Sequence, residues 1–188
     1  MALSCPTVPE IRPAHIEVYL FRRRKRRVEL LTLRRSPGRS LAGVWQPITG
    51  GVKRGEGAFA AARREVEEET GLRPKRWWAL QSVTVYFDPR RDSVRILPLF
   101  AAEIEPGARV RLSREHDRHA FLTPRAAGER YLWDAQRRAL EALRHEVLSG
   151  GRTAAAREIT HRTPRPRRGR AKPRLNRRKS WRETTRST

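Results

Sequence analysis

Residues 50–72 form the stretch GGVKRGEGAFAAARREVEEETGL, in which a pair of glycines precedes a glutamate-rich run of helix-forming residues. The composition of Ala58–Thr70 predicts a helix. Gly71 is a typical residue just beyond a helix end, and Pro74 does not continue a helix. The stretch therefore predicts a glycine turn followed by a helix that ends at Gly71.

Three glutamates of this helix lie on one side of it. At about 100° per residue, the carboxylates that flank the apolar stripe are Glu65, Glu68 and Glu69. Glu67 falls on the opposite side. Carboxylates at this spacing repel each other, and burial against an apolar face increases the repulsion. Mg²⁺ prefers such hard oxygen ligands, so the pattern predicts a phosphate-handling metal site. The alternative is an exposed acidic face paired with arginines.

The glycines in front of the helix favour the metal site over that alternative. Thr49, Gly50 and Gly51 follow an apolar, strand-like segment at residues 44–48. Because glycine has no side chain, the backbone at this turn is able to approach a metal ion or a phosphate closely. A backbone carbonyl is therefore a possible ligand at this turn.

The rest of the first 150 residues alternates between strand-like and helix-like periodicity, which is typical of an α/β or α+β domain. Pro98 indicates an edge strand or a bulge. In the closing helix, Leu140, Leu143 and Val147 recur at helical spacing and should cover the sheet. The predicted strands are residues 15–21, 28–33, 77–87 and 93–103, and the predicted closing helix is 133–148.

Length and composition limit the possible classes of protein. The chain has 188 residues, 37% of them hydrophobic, which suits one core. No apolar run reaches the roughly 18–20 residues of a membrane span. Cys5 is the single cysteine, which excludes an intramolecular disulfide and a cysteine-clustered zinc site. Residues 1–13 resemble neither a secretory signal nor a transit peptide, so we expect a cytoplasmic location.

About half of the net charge of +23 lies in the last 38 residues, 151–188. Residues 151–188 contain 14 basic and 2 acidic residues and include the segment PRPRRGR at 164–170. Such a composition predicts disorder. The expected organisation is an N-terminal extension (1–14), a folded domain (15–149) and a disordered basic tail (150–188). The tail would bind polyphosphate or nucleic acid, or it would simply be a solubilising extension, which is the slightly favoured interpretation.

The glycine turn and helix together resemble the box of the Nudix hydrolases. That box has the pattern G-x5-E-x7-R-E-U-x-E-E-x-G-U, where x is any residue and U is an aliphatic residue. Every defined position is filled, by Gly50, Glu56, Arg64, Glu65, Val66, Glu68, Glu69, Gly71 and Leu72. The resemblance implies an α/β fold, an α/β/α sandwich with a mixed sheet, across most of residues 15–149.

The same resemblance implies Mg²⁺-dependent hydrolysis of a diphosphate bond in a nucleotide, with Mn²⁺ as a possible substitute. By position in the box, the implied metal ligands are Glu65, Glu68, Glu69 and the carbonyl of Thr49. Arg64 would orient Glu65, and Glu56 would brace the loop against the helix. The resemblance therefore predicts that hydrolysis depends on these residues.

Two carboxylates are candidates for the general base. Glu65 is the first choice. Many family members use a glutamate from a later loop instead, and Glu115 in the segment LSREH (112–116) lies where such a residue is expected. His116 and His119 would assist proton transfer, or they are structural or exposed.

Further segments are similar to the branch of the family that acts on dATP and on dihydroneopterin triphosphate. They are WQPITGG (45–51), SREH (113–116) and FLTP (121–124). Trp45 would stack on a base and Gln46 would contact its edge, although Trp45 is equally a candidate core aromatic. Arg34 and Arg35 would bind the triphosphate or pair with box glutamates. The resulting prediction is a nucleoside triphosphate pyrophosphohydrolase that releases a monophosphate and pyrophosphate.

Two other functions remain open. The segment LLTLR (30–34), with Arg39 and Gly43, is similar to a signature of Nudix coenzyme A diphosphatases, although Arg35 and residues 47–49 depart from it. A coenzyme A or dinucleoside polyphosphate diphosphatase is therefore an alternative. The other is a nucleic-acid-binding protein that uses the basic tail and the basic turn at 22–27.

Overall fold

The computed structural model of the protein describes residues 13–160. In chain order, the elements of this part are β1 (His15–Arg24), β2 (Arg27–Arg35), β3 (Trp45–Gln46), β4 (Ile48–Gly51), α1 (Ala58–Thr70), β5 (Arg76–Asp88), β6 (Ser93–Glu103), β7 (His116–Leu122), α2 (Pro124–Arg130), α3 (Asp134–Leu143), a π-helical turn (Arg144–Leu148) and α4 (Gly151–Arg157). None of these helices is long and apolar enough to span a membrane.

The strands form one mixed sheet in the order β3-β2-β1-β6-β5, with β4 paired to β1 and β7 paired to β2. β1 and β2, which cover the predicted strands at 15–21 and 28–33, form an antiparallel hairpin in which Phe21 lies opposite Leu30. β1 runs parallel to β6, from the pair Glu17–Leu99 onwards. The central position of β1 places its side chains on both faces of the sheet in the middle of the molecule.

Helices cover both faces of the sheet. Ile16, Val18 and Leu20 point to the face that packs against α1, where Val66 is fully buried. The alternate residues of β1 point to the other face. The residues that pack there with α2 and α3 include Tyr19, Phe21, Leu140, Leu143 and Val147. The predicted α/β/α sandwich is therefore confirmed.

Most predicted elements are present, with differences at prolines and helix ends. α1 has the predicted bounds, and Gly71 ends it with a left-handed φ of 67°. The apolar segment 44–48 forms two short strands, since Pro47 has no N–H for a sheet hydrogen bond. Pro98 pairs with Val83 next to a register shift, as a bulge predicts. The predicted closing helix is divided into α3 and the π-helical turn.

The prediction that disorder begins at residue 150 is wrong for residues 150–160. Here α4 forms, and Glu158 then bridges antiparallel to Trp78 in β5. The N–H of Ile159 donates to the carbonyl of Trp77 at 2.8 Å. The edge of β5 supplies backbone partners that composition does not reveal. The rest of the predicted tail, 161–188, and residues 1–12 of the extension lie outside the described residues.

Candidate active site

The site is built where the glycine turn meets α1. β4 pairs antiparallel with β1, so that Gly50 lies opposite Ile16 and Thr49 lies opposite Glu17. A Cβ atom at Gly50 would lie 2.1 Å from both Cδ and Cγ of Glu65. A side chain at this position is therefore incompatible with the place of the Glu65 carboxylate.

Arg64 connects the turn, the loop and the helix. Its guanidinium donates hydrogen bonds to Glu56 Oε1 (2.9 Å) and Oε2 (3.0 Å), Glu65 Oε1 (2.6 Å), Glu68 Oε2 (3.1 Å) and the Gly51 carbonyl (2.8 Å). With the backbone N–H of Lys53, Arg64 lowers the pKa of Glu56 to about 2. These bonds raise the pKa of Arg64 itself. Arg64 thus holds the loop and two helix carboxylates in one arrangement.

Glu69 is the most unusual carboxylate of the site. Its side chain is 5% exposed, and its Oε2 atom has no hydrogen-bond partner. Burial raises the pKa of Glu69 to about 9, and the nearby charges of Glu65 and Glu115 add to the increase. Burial also raises the pKa of Glu65. A buried carboxylate without a donor, placed among other carboxylates, is an environment that a cation would stabilise.

The loop before β7 brings Glu115 to this cluster. The N–H of Arg111 donates to the Thr70 carbonyl at 2.8 Å, and the N–H of Ser113 donates to the Glu69 carbonyl at 3.2 Å. The loop is therefore fixed against the C-terminal end of α1. Glu115 is exposed, and its charge contributes to the raised pKa values of Glu65 and Glu69.

His116 lies beside Glu69, whereas His119 does not. The His116 side chain is buried, and neither ring nitrogen has a hydrogen-bond partner. Its Nδ1 atom is 3.8 Å from Glu69 Oε2. Burial, followed by the charge of Arg35, lowers the pKa of His116 to about 4, so the ring is neutral at pH 7. His119 is exposed and packs edge-on against Phe121.

The model of the NUDIX domain family matches residues 12–143 of this chain. The chain belongs to the Nudix family. A curated relative, an octanoyltransferase from Myxococcus xanthus, is 36% identical over 129 residues, which are 65% of this chain. The match spans only 33% of that relative, about a third of its length.

Two solved structures share the fold of this chain. An Ap4A hydrolase from C. elegans superposes with a TM-score of 0.62 at 19% identity, covering 72% of this chain and 98% of that one. The E. coli dihydroneopterin triphosphate pyrophosphohydrolase superposes with a TM-score of 0.61 at 21% identity, covering 74% of this chain and 97% of that one. At these identities the likeness concerns the fold.

The Nudix box glutamates are not all equivalent in the structure. Glu67 pairs with Arg73 on the side of α1 away from the cluster, as helix geometry predicted. Glu68 is exposed. Within residues 13–160, no three acidic, histidine or cysteine side chains gather around one point in metal-ligand geometry. Arg64 instead holds Glu65 and Glu68. The oxygen donors and the partnerless Oε2 of Glu69 nevertheless fit a hard divalent cation.

The predicted substrate-binding arginines differ in their surroundings. Arg34 makes a two-bond ion pair with Asp117, with Nε 2.8 Å from Oδ1. Arg35 donates from Nε to the Ser40 carbonyl at 2.7 Å, and its charge acts on Glu69. The alternative that Arg34 pairs with a box glutamate is wrong, since the register of β2 and β7 places Asp117 beside it.

Trp45 and Gln46 lie on neighbouring positions of β3. Trp45 is half-buried, and the Arg130 guanidinium carbon lies 5.1 Å from its ring centroid. Gln46 is buried, and its Nε2 donates to the Thr49 hydroxyl at 3.4 Å. Trp45 is therefore at the border of the core, with part of its surface accessible.

Two charged groups of the structure, Asp117 and Glu17, are not predicted from the sequence. Asp117 directly follows the Glu-His pair, and only strand pairing connects it to Arg34. Glu17 is 3% exposed and accepts hydrogen bonds from the Tyr19 hydroxyl and from Gln136 Nε2 on the face opposite α1. Burial raises the pKa of Glu17. The alternation of β1 would have predicted that Glu17 shares a face with Tyr19.

Proposed function

We propose that this Nudix protein is a Mg²⁺-dependent nucleoside triphosphate pyrophosphohydrolase that releases a monophosphate and pyrophosphate. The observation that carries the proposal is Glu69. Its carboxylate is buried, lacks a hydrogen-bond donor at Oε2 and lies close to Glu65 and Glu115. Such a carboxylate is poorly stabilised by the protein alone, because burial favours its protonated form.

The residues that would hold the metal are Glu65, Glu68, Glu69 and the carbonyl of Thr49. When bound, Mg²⁺ neutralises phosphate oxygens and lowers the pKa of a water molecule, and Mn²⁺ has the same ligand preference. Glu68 is exposed, its Oε2 accepts a hydrogen bond from Arg64 at 3.1 Å and its Oε1 lies 3.9 Å from Lys53 Nζ, so a metal would compete with these two cations for the carboxylate. At Glu69 Oε2 a metal would replace no hydrogen bond, because this atom has no hydrogen-bond partner.

The chain's own side chains supply positioning and proton acceptance. Arg64 binds one oxygen of Glu65 and fixes its orientation. We assign proton acceptance from the attacking water to Glu65, since burial raises its pKa and makes it a stronger base. Glu115 is the second candidate, because the loop places its charge near the same carboxylates.

The substrate assignment rests on the residues near β3 and on the likeness to the E. coli dihydroneopterin triphosphate pyrophosphohydrolase. Trp45, half-buried, would stack on a purine-like base, with Gln46 at its edge. Arg35 is the better phosphate-binding candidate of the two arginines, because Asp117 neutralises Arg34. A triphosphate would then extend from β3 towards the carboxylates.

A substrate panel with Mg²⁺ tests the proposal. It contains the four dNTPs, dihydroneopterin triphosphate, coenzyme A, ADP-ribose and dinucleoside polyphosphates, and the products are identified by mass spectrometry. We expect fastest turnover of a triphosphate, with pyrophosphate as a product. Faster cleavage of coenzyme A or of a dinucleoside polyphosphate would replace this proposal with the alternative, which the fold shared with the C. elegans Ap4A hydrolase supports.

The name of the curated octanoyltransferase does not change the proposal, because the match spans only 33% of that protein. Nucleic-acid binding through the basic tail stays a prediction, since residues 161–188 lie outside the described part. In the basic turn, Arg22 bonds to Glu29 and Arg23 pairs with Glu103, which neutralises part of its charge. Binding to RNA that weakens steeply with salt and persists in Glu69→Gln would support this second function.

A further inference from the structure

The turn between β1 and β2 carries four cations without acidic partners. Residues 22–27 read RRRKRR, so that six cationic side chains follow one another. The first two have partners, since Arg22 pairs with Glu29 and Arg23 pairs with Glu103. The other four, residues 24–27, are exposed, and none of their side chains forms an ion pair or a hydrogen bond with residues 13–160. We call residues 24–27 the turn tip.

The turn tip holds like charges close together. Arg24 and Arg27 lie directly opposite each other in the β1–β2 ladder, and like charges in such a pair are destabilising. Between them, Lys25 has a left-handed backbone with a φ of 55°, at a turn position where glycine or asparagine is usual. The hairpin therefore keeps its cations together against both charge repulsion and backbone preference. A bound polyanion would remove the repulsion.

A groove lies next to the turn, along the ends of the central strands. β1 and β6 are parallel and β5 is antiparallel to β6, so Phe21, Glu103 and Arg76 form one row across the three strands. A cavity of about 340 Å³ beside this row is lined by Arg23, by residues 72–76 and by the segment that follows β6. We call it the strand-end groove. Its cationic residues are Arg23, Arg73, Lys75 and Arg76, and its acidic residues are Glu103 and Glu105.

The described part of the chain ends at the same edge of the sheet. Glu158 bridges antiparallel to Trp78, and the N–H of Trp77 donates to the Thr160 hydroxyl at 3.1 Å. Because this segment runs antiparallel to β5, it approaches Arg76 and the strand-end groove as it reaches residue 160. Residues 161–188 continue from this point and contain 12 cationic residues and 1 acidic residue. β5 lies two strands from β1, roughly 10 Å away at ordinary strand spacing.

One edge of the sheet therefore holds the basic turn and the origin of the basic tail. We propose that the turn tip, the strand-end groove and the basic tail together bind the phosphate backbone of a nucleic acid. Most of their cations are arginine, with five among residues 22–27 and ten among residues 161–188. A guanidinium binds phosphate through two parallel hydrogen bonds. Because each phosphate of a polymer adds to the same binding event, a polymer fits a row of cations better than a single nucleotide does.

A membrane surface fits this edge less well than a nucleic acid does. Protein segments that lie on a lipid surface bury apolar and aromatic side chains beside their cations. Within residues 13–160, the exposed large hydrophobic side chains lie at Leu41, in the β5–β6 hairpin and at residues 132–133. Neither the turn tip nor the strand-end groove contributes any of them. Positive charge without exposed apolar surface favours the nucleic acid.

The turn tip is separate from the candidate active site. Gly50 lies opposite Ile16 near the start of β1, whereas the turn tip begins at Arg24. These positions of β1 are roughly 25 Å apart at the ordinary rise of a strand. Binding at the turn tip therefore does not depend on the proposed hydrolysis, and it leaves the carboxylate cluster open to a small substrate.

Fluorescence anisotropy with the full chain and a labelled single-stranded RNA of about 20 nucleotides tests the proposal, in EDTA and from roughly 50 to 200 mM salt. We expect binding that weakens steeply with salt. DNA of the same sequence should bind to a similar extent, because phosphates are the contacts. Combined Arg24→Gln, Arg26→Gln and Arg27→Gln, the turn variant, should weaken binding about tenfold or more. It should also lower the salt slope by about 2, at about 0.7 per phosphate contact.

The control variant changes the net charge by the same amount at the opposite edge. It combines Arg39→Gln, Arg54→Gln and Arg90→Gln, at exposed positions that follow the far ends of β2, β4 and β5. RNA affinity should fall by less than about threefold, since only the long-range charge changes. Glu69→Gln should bind RNA like the wild type, and the turn variant should keep wild-type turnover of the best triphosphate. These two results separate the test from the proposed function.

Three arginines of the basic tail provide a second, independent variant. Combined Arg165→Gln, Arg167→Gln and Arg168→Gln should weaken RNA binding by a factor similar to that of the turn variant. The two sets together should weaken it more than either set alone, because both contact one polymer. Loss of binding in the tail variant, with normal binding in the turn variant, would assign the binding to the tail alone and contradict the proposal.

Thermal unfolding guards against misfolding of the turn variant. Its unfolding temperature should equal or exceed that of the wild type, because the repulsion between Arg24 and Arg27 is removed. RNA binding that is equally weak in the control variant overturns the proposal. So does tighter binding to vesicles of anionic phospholipid than to RNA, which would assign the edge to a membrane. Displacement of the RNA by a dNTP would place the RNA in the active site and overturn it as well.

Discussion

Gly50 and Glu65 approach each other so closely that a methyl group on the glycine would lie 2.1 Å from the Glu65 carboxyl carbon. The two residues belong to different elements, β4 and α1. Their approach fixes the distance between the glycine turn and the helix carboxylates. Gly50, the first glycine of the Nudix box, is therefore required by the position of Glu65, and this requirement is testable.

Gly50→Ala should reduce turnover while the chain still folds. The new methyl group must displace Glu65, and misplacement of a catalytic group by about 1 Å costs roughly 100-fold in rate. Gly51→Ala is the matched control, because a Cβ there meets no atom within 4 Å. Steady-state kinetics with the best triphosphate measures both. Equal activity of Gly50→Ala and Gly51→Ala would contradict the close-approach argument.

Substitution of Glu65 and Glu69 should distinguish a role in metal binding from a general effect of negative charge on α1. Glu69→Gln and Glu65→Gln should each lower Mg²⁺-dependent turnover by roughly 100-fold or more, because each removes a negative oxygen donor. Glu67→Gln, on the opposite side of α1, should keep wild-type activity. Titration with Mn²⁺, followed by electron paramagnetic resonance, should show weaker binding only in the first two variants. Full turnover by Glu69→Gln would refute the site.

The raised pKa of Glu69 predicts how stability depends on pH in the presence of a chelator. Between the ordinary pKa of a glutamate and about 9, the folded chain keeps a proton that the unfolded chain has lost. The free energy of unfolding should therefore fall as pH rises, by at most about 1.4 kcal/mol per unit from this group. Above pH 7 His116 is neutral in both states and does not contribute, since its folded pKa is about 4.

Urea denaturation with EDTA at about pH 7 and about pH 9 measures this slope. Glu69→Gln should flatten it, and Glu67→Gln should leave it unchanged. Added Mg²⁺ should restore stability at the higher pH in the wild type, because the metal binds the ionised carboxylate. A slope that is identical in the wild type and in Glu69→Gln would assign the pH dependence to other groups.

Arg64→Lys should lower both stability and activity. Lysine keeps the charge but does not bridge Glu56, Glu65 and the Gly51 carbonyl at once, because it lacks the planar fork of donors. The loss of charged hydrogen bonds should cost about 2 kcal/mol of unfolding free energy. Arg63→Lys, at the neighbouring exposed position, is the control and should change neither property. Thermal unfolding and kinetics, measured together, test this.

Trp45 should affect substrate affinity more than the chemical step. If it stacks on the base, Trp45→Leu should raise KM for the best triphosphate by about tenfold with little change in kcat, and Trp45→Phe should recover most of the loss. Trp133→Leu is the control, because Trp133 is 53% exposed on another element. A fall in unfolding stability without a change in KM would make Trp45 a core aromatic instead.

The parts of the site that the sequence predicts well are local ones. The bounds of α1 and the separation of Glu67 from the other carboxylates follow from helix geometry within one segment. The four predicted strands follow from strand-like periodicity within short segments. The helix at 151–157 was missed because its stability depends on contacts with β5, and composition around Gly150 and Gly151 indicates only a break.

The sequence alone determined the family and the residues of the Nudix box, because a tight turn and a helix are fixed by residue spacing along a short stretch. Only the tertiary structure decided that His116 lies beside Glu69, that the charge of Glu115 acts on Glu69, and that Arg34 is paired with Asp117. These relationships arise from strand register and loop packing between segments distant in the chain. No periodicity within one segment encodes them, since each depends on which partner strand lies alongside.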